Sequence, residues 1–180
     1  MVNYRIRVRE KFKKTLDYLH EIEKVDSRLY VKLLKDYQGW SRSLEWNYFQ
    51  DFMEIVEVEG SKLGLPQYYG KLRAVALEEY IYNMLLKAGF KPLWKPIIKI
   101  GELKITPDII VGEKVVECKV ELDASRLKVA LGEYLLLKTL TQLKEYILIY
   151  YKKELSNPLL EAVQKIIKIH YAKTFNPKTT

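Results

Sequence analysis

Glu117 and Lys119 stand two residues apart in Lys114–Val120, a segment otherwise rich in valine. Side chains on a β-strand alternate between faces, so Glu117 and Lys119 share one face and Val116, Cys118 and Val120 the other. Val115, Val116 and Val120 mark a buried strand, where unpaired charge is costly. Asp108 follows Pro107, with eight residues between it and Glu117. A turn at Gly112-Glu113 brings Asp108 and Glu117 to similar heights on paired strands. Two carboxylates at one sheet end form a hard-oxygen donor set suited to Mg²⁺, with Mn²⁺ as a substitute. Lys119 adds positive charge for a phosphate or an attacking hydroxide. Together these cover the needs of phosphodiester hydrolysis: a nucleophile at neutral pH and stabilisation of developing charge. A plain ion pair on a solvated strand face uses the same residues, and that alternative stays open at this point.

The elements that must position these residues are legible in the pattern. Leu72–Ala88 reads as an amphipathic helix ended by Gly89. Leu77, Ile81, Met84, Leu85 and Ala88 make its apolar face. Glu78 falls at the margin of that face and Glu79 nearly opposite, toward solvent, so Glu78 is the favoured fourth member of the site. Strands follow at Leu93–Ile100, Leu103–Val111 and Lys114–Val120, with turns at Gly101-Glu102 and Gly112-Glu113. Asp123 or Ser125 caps a helix to about Leu140. Tyr146–Tyr151 is a fourth, apolar strand. Asn157-Pro158 opens a final helix to about Ala172, and Phe175–Thr180 reads as a frayed tail. Order and turns give an α/β fold: a mixed four-stranded sheet flanked by helices.

Residues 1–66 have a different texture and form a mostly helical N-terminal extension; residues 67–180 carry the α/β core. Gly60, Gly64 and Pro66 punctuate the join. Val2–Val8 alternates Tyr4, Ile6 and Val8 against Arg5, Arg7 and Arg9, the pattern of a short strand with one basic face. Helical spacings follow from Phe12 to Ile22 and from Leu29 to Leu34, with Asp26 or Ser27 as a cap. A further apolar series runs from Leu44 to Val56.

The chain has 180 residues, a net charge of +8 and a pI of about 9.3. Such a balance suits a polyanionic partner as well as a lysine-rich solvated surface. The single cysteine, Cys118, excludes an internal disulfide and a Cys-based zinc or iron–sulfur site. Residues 1–10 lack the apolar stretch of a signal peptide, and no apolar run is long enough to span a bilayer. These features predict a soluble cytoplasmic protein with no membrane partner. The two histidines, His20 and His170, lie in different predicted helices with no ligand partner nearby. No Gly-Lys-Ser/Thr completes a phosphate loop.

Pro107-Asp108, eight residues, then Glu117-Cys118-Lys119 resembles the signature of the PD-(D/E)xK nuclease superfamily. That superfamily includes type II restriction endonucleases and archaeal Holliday junction resolvases. The order α-β-β-β-α-β resembles its restriction-endonuclease-like core, and Ala76–Tyr80 resembles its helix motif. The resemblance covers roughly residues 72–151. It implies Asp108 and Glu117 as metal ligands, Lys119 beside the water, and Glu78 as a further ligand or base. Ala130–Leu136 resembles a stretch where many members carry Gln; this chain has Glu133, which leaves its role open. The implied activity is Mg²⁺-dependent hydrolysis of DNA, and resolvases of this superfamily act as symmetric dimers, so a homodimer is allowed.

Among the aromatic and basic residues of the helical region, Tyr68, Tyr69, Lys71 and Arg73 are the best placed to touch DNA. Arg126 and Lys128 are candidates at the start of the next helix, and the Arg5/Arg7/Arg9 face can grip phosphates. The rival from another class is a non-catalytic nucleic-acid-binding or assembly protein that keeps the fold.

Overall fold

The computed structural model describes residues 4–62 and 65–180, so the expectations for Val2 and Gly64 lie outside it. The chain forms two compact units, one of residues 11–84 and one of residues 1–10 with 85–180. The expected boundary at 66–67 coincides with the start of a long helix, and the units divide near that helix's end.

The helical unit holds α1 (Thr15–Glu23), α2 (Ser27–Ser43), α3 (Trp46–Lys62) and α4 (Pro66–Lys87) up to Met84. Asp26 caps α2 by accepting the Arg28 and Leu29 N–H groups, which satisfies donors a helix start leaves open. Leu44 ends α2 in the left-handed region, at φ 61°, an uncommon conformation for a branched residue. The aromatic residues form the core. The Trp40 ring meets Phe49 and Phe52 edge-on at 5.4 and 5.8 Å, and Phe49 stacks on Tyr80 at 4.2 Å. The buried Gly60 lets α3 approach Tyr69 of α4.

The α/β unit contains two sheets. One is three-stranded, in the order β1-β3-β4, from Tyr4–Arg7, Ile97–Ile100 and Leu103–Ile105. The other is five-stranded, in the order β2-β5-β6-β7-β8, from Leu93–Trp94, Ile109–Val111, Lys114–Leu122, Glu145–Lys153 and Lys168–Tyr171. β5 and β6 are antiparallel, whereas β6, β7 and β8 run parallel. α5 (Ala124–Leu140) links β6 to β7, and α6 (Asn157–Gln164) links β7 to β8. Leu127, Ala130, Tyr134 and Leu137 of α5 pack with Val115, Tyr146, Leu148 and Ile169 of the sheet in one core.

This architecture corrects the sequence reading in four places. The expected strand over 93–100 is cut at Lys95, held at φ 47° before Pro96, so its halves join different sheets. The strand expected over 103–111 is cut by Pro107, which offers no ladder donor. The last helix stops at Gln164 instead of about Ala172, and Lys168–Tyr171 adds a fifth strand to the expected four. The tail is also packed. Phe175 is buried, and the Lys114 ammonium donates to the Thr180 carbonyl at 2.8 Å.

Candidate active site

Asp108 lies between Pro107 and β5, immediately before the register pair Ile109↔Val116. The ladder thus delivers it opposite Glu117, as the spacing predicted. Two hydrogen bonds fix the pair. The Asp108 N–H donates to Glu117 Oε2 at 3.3 Å, and the Cys118 N–H donates to Asp108 Oδ2 at 2.8 Å. The Lys119 ammonium donates to Glu117 Oε1 at 2.5 Å. Glu117 is 6% exposed, and Cys118 is buried and in no disulfide.

Burial first, then the neighbouring Asp108, pushes the Glu117 carboxyl up to about 7. Lys119 only partly reverses this. Burial acts to lower the Lys119 pKa, but the charge and hydrogen bond of Glu117, with Asp108 adding to them, carry the net shift upward. The ammonium form is therefore secure, while Glu117 sits near the point of gaining a proton.

Two residues that spacing could not assign join this cluster. Glu133, on α5, is pushed up to about 7 by burial and then by the charge of Glu117. The Tyr146 hydroxyl of β7 donates to Glu133 Oε2 at 3.4 Å. Burial, followed by the charges of Glu117, Glu133 and Asp108, raises the Tyr146 pKa and keeps the phenol protonated. Tyr146 is register partner to Val115, on the face that Glu117 shares. Nothing local in the sequence marked it; its apolar strand context argued only for packing.

The other candidates divide. Glu78 is buried on α4. Glu79 is also buried, which corrects the expectation that it faces solvent. It accepts the Thr15 N–H at 3.2 Å and the Tyr37 hydroxyl at 3.0 Å, tying three helices of that unit together. Tyr69 and Arg73 are likewise withdrawn from the surface. Tyr69 lies on Gly60, and Arg73 pairs with Glu57 at 3.2 Å. The Tyr68 hydroxyl donates to the Tyr18 carbonyl and to Glu21. Lys71 and Lys128 are exposed, whereas Arg126 is engaged by Asp123 at 2.6 Å.

Among the described residues, no three His, Cys, Asp or Glu side chains gather as a metal-holding group; Asp108 and Glu117 make a pair. No helix among them is long and apolar enough to cross a membrane. No family model matches the chain, and no curated protein matches it either.

Proposed function

We propose that the protein is a Mg²⁺-dependent nuclease that hydrolyses phosphodiester bonds in DNA, with Asp108 and Glu117 as metal ligands. The observation that carries this reading is the linkage of Asp108 to Glu117 across β5 and β6, with the Lys119 ammonium 2.5 Å from Glu117. The donor set fits a hard divalent cation. Two carboxylates held side by side, one of them buried, repel each other, and a cation between them would offset that repulsion. When bound, the cation supplies a nucleophile at neutral pH and stabilises charge on the phosphate.

The chain's own groups do the rest. Glu117 holds the Lys119 ammonium in place, so its positive charge is preorganised beside the carboxylates, where an incoming phosphate oxygen would meet it. Tyr146 orients Glu133 through its hydroxyl. Glu133 then adds a third carboxyl, beside Glu117, as a proton acceptor.

The test is cleavage of end-labelled duplex, single-stranded, flapped and four-way-junction DNA with Mg²⁺, Mn²⁺ or EDTA. Wild type should cut in a metal-dependent way, and Asp108→Asn should not. Tight binding with no cutting of any substrate would overturn the catalytic reading in favour of a DNA-binding protein.

A further inference from the structure

We propose that the outer face of the β1-β3-β4 sheet is the surface that grips the DNA backbone. The sheet places Arg5 opposite Lys99, and Lys99 opposite Lys104. Register partners share a face, so three cations stand in a row across three strands, spanning about 10 Å at ordinary strand spacing. Arg7 joins the same face one pleat along β1. The alternate residues Ile98 and Ile100 are buried in the core, with Tyr4 and Ile6 packed against it. The basic face therefore points away from the core. Arg5, Arg7 and Lys104 are exposed and Lys99 is half-buried.

Like charges directly opposite each other destabilise a sheet. Several other cations of this unit are paired: Lys114 and Lys168 with Glu145, Lys144 with Glu113, and Arg126 with Asp123. Among the described residues, Arg5, Arg7, Lys99 and Lys104 have no carboxylate partner. A standing repulsion without an internal counter-charge is what an external polyanion relieves. The choice of DNA rests on the nuclease reading above. Lys104 precedes Asp108 by four residues, so even a fully extended chain keeps them within about 14 Å. A strand held on this face has phosphates within reach of the carboxylate pair.

The experiment is fluorescence anisotropy of labelled duplex and single-stranded DNA in EDTA, across about 50–200 mM salt. Three full-length proteins are compared: wild type, R5A/K99A/K104A, and K165A/K173A/K178A. The last removes three exposed lysines elsewhere in the same unit. Each lost phosphate contact flattens the log K versus log salt line by about 0.9 on duplex, so the first triple variant should flatten by roughly 2.7. The second triple variant should keep most of the wild-type slope. Equal flattening in both would reduce the effect to net charge and overturn the proposal. So would an unchanged slope in R5A/K99A/K104A. Thermal melts establish that the variants fold. Should the triple variant not fold, Lys104→Glu at its exposed position must flatten the slope by at least about one unit. Flattening alongside a wild type that never cuts DNA would uphold this surface and remove the nuclease reading. Cutting with an unchanged slope would do the reverse.

Discussion

The carboxylate of Asp108 has two separable roles. Its Oδ2 accepts the Cys118 N–H at 2.8 Å, and its charge acts on Glu117. Alanine removes both, leaving a donor in the strand unsatisfied, which costs about 1–3 kcal/mol. Asparagine keeps an oxygen in place and removes only the charge. Denaturant melts should therefore show Asp108→Ala destabilised by about 1–3 kcal/mol, with Asp108→Asn within about 1 kcal/mol of wild type. Cleavage should be lost in both. Equal stability of the two variants would mean that the Cys118 N–H finds another acceptor. The same separation explains why Asp108, Glu117 and Lys119 were legible in the sequence. They lie on one hairpin, where register follows from counting back from the Gly112-Glu113 turn. Glu133 and Tyr146 meet only once α5 has folded back over the sheet, so no local spacing marks their contact.

At the level of elements, packing decides where propensity alone misleads. Gly60 sits inside α3, where alanine is the better helix former by about 1 kcal/mol. A Cβ there would meet the Tyr69 Cβ at 2.6 Å, an atom next to the α4 backbone that no rotamer change moves away. Overpacking costs about 1–3 kcal/mol and should outweigh the propensity gain. Gly60→Ala should lower the midpoint of thermal unfolding; a rise would mean that α3 and α4 separate readily. Glycine near a predicted helix end looked like punctuation in the sequence, whereas its use is this close approach. The breaks at Lys95-Pro96 and Pro107 were visible as prolines, but which sheet each half would join depends on long-range pairing. Lys168–Tyr171 escaped notice because Ile166-Ile167, without an intervening Gly or Pro, continues an apolar run that suits helix or strand equally. Once formed, β8 contributes Lys168 to a charge cluster with Glu145 of β7 and Lys114 of β6. The Lys168 hydrogen bond, then the Lys114 charge, holds the Glu145 carboxyl below its ordinary value. Its folded pKa lies under the unfolded one. The stabilisation is complete above the unfolded value of 4.5 and is lost as pH falls through the folded value. Glu145→Gln should thus lose less stability than wild type across that acid window. Parallel acid-unfolding curves for the two proteins would refute the assignment.

On the scale of the whole molecule, a net charge of +8 disfavours adventitious uptake of divalent cations. Metal binding therefore has to come from a local excess of carboxylate. In the α/β unit the candidate is the Asp108–Glu117 pair, with the charge of Glu133 beside Glu117; burial, with added negative charge, pushes both Glu117 and Glu133 up to about 7. A ligand that binds the folded state alone stabilises it by about 2.7 kcal/mol at a hundredfold excess over its Kd. Mn²⁺ or Mg²⁺ should accordingly raise the thermal midpoint of wild type in a saturable, logarithmic way and leave Asp108→Asn unmoved. Hydrogen exchange supplies a readout independent of activity. Metal should slow exchange at amides of β5 and β6, Cys118 among them, and leave α1, α2 and α3 of the helical unit unchanged. Protection spread evenly over both units would point to non-specific binding. An unmoved wild-type midpoint with either metal would make Asp108, Glu117 and Lys119 a buried ion-pair network holding the β5–β6 hairpin, and the DNA-gripping face of the smaller sheet would then serve binding without catalysis.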